Sequence, residues 1–238
     1  METLLHNYSL FFDWSMWAEV LTSPQAWLLI GTLVILEGIL SADNALVLAV
    51  MVKHLPEKQQ KRALKYGLLG AYAFRFIAIG LGTLIISLWW IKAIGAVYLG
   101  YLVFKHFVSK EDESAVESVA KGFWMTVLSV ELMDIAFSVD SVLAAFGISE
   151  QIWVLFAGAV LGILAMRFVA GLFLKLLAMF PSMEHAAYVI IGFISVKMLL
   201  SLVHIHISHT IFFIVLVVIF LVAIVIDKKN AGKNDVAA

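Results

Sequence analysis

Two stretches of the chain carry paired carboxylates inside long apolar runs. One is Glu37-Gly38-Ile39-Leu40-Ser41-Ala42-Asp43-Asn44, and the other is Asp134-Ile135-Ala136-Phe137-Ser138-Val139-Asp140-Ser141. Each sets its two acids six residues apart, with a serine two positions before the second acid. Glu131 adds a fifth acid one turn before Asp134. A carboxylate at bilayer depth is costly unless something neutralises it. The neutralising agent is a base, a proton or a bound cation.

The ligand chemistry narrows the cation. The oxygen donors are the carboxylates with Asn44, Ser41, Ser138 and Ser141. Oxygen-rich sites suit Mg, Ca and Mn. No histidine lies in the middle of an apolar run and the chain has no cysteine, which argues against a site built for Zn or Cu. Met51, Met125, Met133, Met166 and Met198 read as fillers of gaps between helices rather than as soft ligands.

Three bases fall inside the apolar runs: Arg75, Arg167 and Lys197. Against five acids they leave a formal charge of -2. One divalent cation neutralises that charge, and two shared protons do so equally well. Arg75 and Arg167 are expected to fix acids by charge-assisted hydrogen bonds. Lys197 is either a pairing partner or a stand-in positive charge when the cation leaves. In the purely structural alternative the acids pair with these bases and only hold the bundle together. That alternative leaves the excess of acids and the doubled motif unexplained.

Spacing sets a geometric condition. In a regular helix, residues six apart lie about 120° around the axis and about 9 Å along it. Glu37 and Asp43 therefore cannot both bind one small ion from an unbroken helix. Either the helix unwinds between Gly38 and Asn44, and near Ser138 in the second stretch, or the carboxylates serve different stations along a path.

The elements that position these residues are membrane helices. Of the 238 residues 63% are hydrophobic, and the mean hydropathy is +1.02. Soluble domains are roughly 45–50% apolar. The chain is expected to be all-α and integral to a membrane. Without cysteine it forms no disulfide, Fe–S cluster or thiolate metal site. About 20 apolar residues cross a bilayer as a helix. Seven such runs occur, near 26–50, 64–87, 91–108, 123–146, 152–176, 186–204 and 210–226.

Basic residues set the expected orientation, because cytoplasmic loops are rich in Lys and Arg. With the N-terminus outside and the C-terminus inside, twelve of them fall on the inner side: Lys53, Lys58, Lys61, Arg62, Lys65, Lys105, Lys110, Lys121, Lys175, Lys228, Lys229 and Lys233. Only Lys92 falls on the outer side. Residues 1–25 read as an interfacial segment carrying Phe11, Phe12, Trp14 and Trp17, with no basic region of a cleaved secretory signal. Trp89 and Trp90 read as an outer aromatic belt. His204, His206 and His209 read as interfacial histidines, with a metal site at the exit as the alternative. Residues 109–122, with Lys110, Glu111, Asp112, Glu113, Glu117 and Lys121, read as a solvated cytoplasmic loop, and 227–238 as a cytoplasmic tail.

An internal repeat organises the runs. Gly70-Ala71-Tyr72-Ala73-Phe74-Arg75-Phe76 matches Gly162-Ile163-Leu164-Ala165-Met166-Arg167-Phe168 at an offset of 92. Gly100 to Lys105 matches Gly192 to Lys197 at the same offset, and the two acidic stretches match at 97. Residues 26–108 thus repeat as 123–204, with a seventh helix at 210–226. A unit of three spans inserts its second copy upside down. Inverted repeats of this kind build many transporters, whose substrate sites lie near the midplane at the repeat interface.

Over about residues 20–226 the chain resembles the TerC family of integral membrane proteins. The resemblance is carried by Leu36-Glu37-Gly38-Ile39-Leu40-Ser41-Ala42-Asp43-Asn44 and Val130-Glu131-Leu132-Met133-Asp134-Ile135-Ala136-Phe137-Ser138-Val139-Asp140-Ser141. The family is named for an association with tellurium resistance and is linked to manganese homeostasis. The resemblance implies efflux of Mn²⁺ from the cytoplasm across the plasma membrane. It puts Glu37, Asp43, Asn44, Glu131, Asp134, Asp140 and Ser141 in the ion-binding region. The expected partners are a divalent cation as substrate and the lipid bilayer, with no nucleic acid and no prosthetic group. Self-association as a homo-oligomer stays open. Two rival readings are an accessory factor for insertion, maturation or metallation of exported proteins, and an intramembrane aspartyl hydrolase with Asp43 and Asp140 as its dyad. The transporter, not an enzyme, is the reading that the inverted repeat favours.

Overall fold

The structure, a computed structural model, describes Ser9 and residues 13–81, 89–108, 119–149, 151–180, 182–205 and 207–236, with the side chains of 119–121 and 230–236 outside the description. Phe11, Phe12, His206 and the acids of the 109–122 loop therefore lie outside the described residues. Among the described residues every regular element is a helix: α1 Trp14–Thr22, α2 Pro24–Leu40, α3 Ala42–Lys53, α4 Glu57–Leu81, α5 Trp89–Val108, α6 Val119–Phe146, α7 Ile152–Met179, α8 Ser182–Leu202 and α9 His209–Val236.

Local chemistry sets the first breaks. Asp13 accepts a hydrogen bond from the Ser15 amide at 2.9 Å and starts α1. Ser23 caps α2 by accepting from the Ala26 amide, and Pro24 sits in the first turn, where a missing N–H loses no helix bond. α1 and α2 meet at 85°. α2 stops at Ser41, with φ -105° and ψ 11°, and α3 starts one residue later. Asp43 Oδ1 accepts from the Asn44 amide at 3.0 Å and satisfies a donor that the new helix end leaves open. The interruption expected between Gly38 and Asn44 is thus present as one non-helical residue.

The second stretch behaves differently. α6 runs without a break from Val119 to Phe146, so no unwinding occurs at Ser138. Gly38 lowers helix propensity in the first stretch, whereas Ile135-Ala136-Phe137 holds no glycine before Ser138. A lone serine in such a run does not stop a helix.

Five helices are long and apolar enough to cross a membrane: α4, α5, α7, α8 and the His209–Lys229 part of α9. A sixth appears if α1 and α2 count as one bent span. The remaining expected spans are those with the acidic stretches. One is divided at Ser41 into helices of 17 and 12 residues, and the other, α6, carries Glu131, Asp134 and Asp140 in its interior. The chain is an integral, multi-pass membrane protein.

Helix packing crosses between the two halves of the chain. α2 and α3 lie on α7, α4 lies on α6 and α7, α5 lies on α8 and α6, and α9 covers α8. Glycines permit the closest approaches. A Cβ at Gly158 would stand 2.7 Å from Leu33 Cβ, and one at Gly162 would stand 2.5 Å from Glu37 Cγ. This pair of glycines four residues apart seats one face of α2 on α7, as small residues do between membrane helices.

Contacts define two ends of the bundle. At one end the His54 ring nitrogen Nε2 lies 3.1 Å from Thr126 Oγ1, Lys53 pairs with Glu184, and Tyr66 packs on Phe123. At the other end Lys92 in α5 reaches Asp140 in α6, and the α8–α9 connection lies beside them.

Candidate cation-binding cavity

Each acid of the two stretches meets one base. Arg75 donates to Glu37 Oε1 at 3.0 Å and Oε2 at 3.3 Å, and to Ser138 Oγ at 3.4 Å. Ser41 donates its hydroxyl to the same Glu37 Oε1 at 2.9 Å. Arg167 pairs with Asp134. Lys197 donates to Asp43 Oδ2 at 2.9 Å. Lys92 donates to both oxygens of Asp140, at 2.8 and 2.9 Å.

Lys92 corrects the charge count. Its sequence position assigns it to the outer margin, but its ammonium belongs to the acid cluster. Four bases therefore face the five acids, and the expected excess of two negative charges falls to one. The balance of charges alone no longer calls for a divalent ion. A signal was present in Trp89-Trp90-Ile91-Lys92-Ala93-Ile94-Gly95, where an isolated lysine stands among apolar residues on both sides.

Among the described residues Glu131 is the acid of the five that forms no ion pair. Its carboxylate presses on Gly70 in α4, where a Cβ would stand 2.0 Å from Oε2. The Arg167 guanidinium lies within its electrostatic reach. Arg167 Nε and Nη1 are buried and find no hydrogen-bond partner among the described residues.

The acids separate by exposure. Glu37 and Asp134 are buried, and Asp43 keeps 8% of its side-chain exposure, whereas Asp140 keeps 65%. Asp43 and Asp140 line one cavity of about 410 Å³ with Ser41, Asn44, Ser141 and Lys197. Ser201, Ser208 and His209 add polar groups at its mouth, and Met198 forms part of its wall. Glu37 borders a narrow neighbouring cleft with Arg75, and Ser141 lies on both. The structure thus joins Asp43, Asn44, Asp140 and Ser141 in one space and leaves Glu131 and Asp134 outside it. Among the described residues no three His, Asp or Glu side chains converge closely enough to hold a metal ion.

A second cavity, about 330 Å³, lies at the other end. It is bordered by Met51, His54, Met125, Thr126 and Ser129. Sequence inspection did not single out His54, Thr126 or Ser129. Between the two cavities Ala45, Leu46, Val47, Leu48 and Ala49 of α3 have no exposure, and Val130, Met133 and Ala136 of α6 meet them in one apolar core. Met133 and Met166 fill this core, while Met125 is exposed. His204 ends α8 in the left-handed region at φ 63°, where the Ile205 amide donates to Leu200 O at 3.0 Å.

Comparison with known proteins points to a family of membrane proteins. The profile described as "Integral membrane protein TerC family" matches residues 22–231. The membrane protein YceF of Bacillus subtilis is 56% identical over 97% of this chain and 93% of its own length. The UPF0053 inner membrane protein YgdQ of Escherichia coli K12 is 29% identical over 79% of this chain and 86% of its own. The thylakoid membrane protein TERC of Arabidopsis thaliana is 30% identical over 73% of this chain and 54% of its own. No solved structure matches.

Proposed function

This chain belongs to the TerC family of integral membrane proteins, and on that footing we propose that it exports divalent metal ions, Mn²⁺ above all, through the Asp43–Asp140 cavity. One observation carries the reading: one cavity of about 410 Å³ receives a carboxylate from each acidic stretch. Its other donors are oxygens of Ser41, Asn44, Ser141, Ser201 and Ser208, the set that Mn, Mg and Ca accept. An outbound ion leaves the buried Asp43 and then passes the exposed Asp140. Glu37 and Asp134, held by Arg75 and Arg167, brace the helices that carry these stations.

The remaining parts of the proposal concern topology. Seven spans form two inverted repeats of three with α9 added. Gly70 and Gly162 support this, since they stand at matching repeat positions and each seats a glutamate of the opposite half, Glu131 and Glu37. The N-terminus lies outside and the C-terminus in the cytoplasm of the plasma membrane, so the Asp43–Asp140 cavity faces outward. The His54 cavity then faces inward, and the apolar core between them closes the path in this state. Rocking of one repeat against the other exposes the acids to each side in turn.

The test is uptake of Mn²⁺ by inverted membrane vesicles carrying the wild type, Asp43→Asn or Asp140→Asn. The expected result is uptake by the wild type and loss in both variants. Undiminished uptake in both sinks the site assignment. Retained biological function in the acidic variants, with loss in loop variants, favours the accessory-factor reading instead.

A further inference from the structure

Lys197 has two seats for one ammonium. Its Nζ lies 2.9 Å from Asp43 Oδ2 and 4.8 Å from the centroid of the Phe212 ring. A ring face at that distance attracts a cation. The Phe212 ring is held in place: it is 2% exposed, lies parallel to Phe193 at 6.2 Å, and meets Phe213 edge-on at 5.7 Å. Phe193 stands one turn before Lys197 on α8, so the ring that lies against Phe212 shares a helix face with the lysine. Lys197 also lines the cavity beside Met198 and Ser201.

A cation that reaches Asp43 meets the ammonium there. Two cations on one buried carboxylate repel strongly, because little water lies between them to screen the charge. One has to leave. The lysine cannot diffuse away, but the Phe212 face offers its charge a second place.

We propose that Lys197 is a tethered competitor of the substrate cation. This rests on the reading of the cavity as the cation station. In the empty cavity the ammonium occupies Asp43, so no bare carboxylate is left buried. An incoming divalent ion displaces it onto Phe212, and its return helps expel the ion. The exchange moves no proton. Lys197 thereby sets the affinity low enough for release, and Phe212 makes α9, the helix outside the two acidic halves, a determinant of that affinity.

Titration of the purified full-length protein with Mn²⁺, following loss of the electron paramagnetic resonance signal of free aqueous Mn²⁺, tests this. Lys197→Gln removes the competitor and is expected to tighten binding by about tenfold or more. Phe212→Leu removes the second seat and is expected to weaken binding by about three- to tenfold. In the Lys197→Gln background the Phe212→Leu change is expected to have no effect, since the ring acts only through the lysine. Asp43→Asn is expected to abolish the site. Binding to Lys197→Gln no tighter than wild type, alongside a loss in Asp43→Asn, overturns the competitor role and leaves the cavity reading standing. Wild-type binding in Asp43→Asn overturns both.

Discussion

At the residue scale, the ion pairs divide the acids by role. Glu37 and Arg75 are both buried and share two hydrogen bonds, with Ser41 and Ser138 as further partners. Removing one member of such a pair strands a buried charge, at about 3–5 kcal/mol. Arg75→Gln is therefore expected to lower the thermal unfolding temperature in detergent sharply. Adding Glu37→Gln should recover part of the loss, because the stranded charge is then gone. A single variant as stable as the wild type would contradict the pairing. The acids and three of the four bases were legible as residues, because a charge inside an apolar run stands out. Their pairing was not legible. Lys92 and Asp140 are 48 positions apart in the chain, and only the folded arrangement of α5 against α6 brings them together.

At the scale of the element, glycine decides which helices touch. Gly162 and Gly70 leave no room for a methyl group, because Glu37 and Glu131 fill the space where a Cβ would go. Gly171, also in α7, has nothing within 4 Å of that position. Gly162→Ala is expected to destabilise by about 1–3 kcal/mol through overpacking against Glu37, whose Cβ cannot move without its backbone. Gly171→Ala is expected to be neutral or to stabilise by up to about 1 kcal/mol through helix propensity. Thermal unfolding of the two variants checks the contrast, and equal effects would contradict the seating. The interruption at Ser41 was legible because Gly38, Ser41 and Asn44 together weaken a helix. The same inference failed at Ser138, where no glycine assists the serine and the helix runs on. A motif repeated in residue types is thus not repeated in backbone form: one acidic stretch interrupts its helix, and the other keeps its acids on a continuous one.

At the scale of the whole molecule, the Asp43–Asp140 cavity and the His54 cavity lie on either side of an apolar core, and hydropathy alone could not show it. The runs of apolar residues revealed the membrane class and the helices, but they did not reveal which faces meet and which leave a space. Orientation can be tested cleanly because the chain has no cysteine. With Glu57→Cys, at the start of α4, a membrane-impermeant thiol reagent is expected to label only inverted vesicles. With Gln151→Cys, before α7, it is expected to label only intact cells. The reverse pattern would place the Asp43–Asp140 cavity toward the cytoplasm and contradict the proposed orientation. The central claim is that this chain by itself carries a divalent cation through that cavity. Purified protein in liposomes, assayed for Mn²⁺ flux with and without Asp43→Asn, measures it most directly. Flux above that of protein-free liposomes, lost in the variant, is the result the account predicts; wild-type flux no greater than the protein-free background, or undiminished flux in Asp43→Asn, would contradict it.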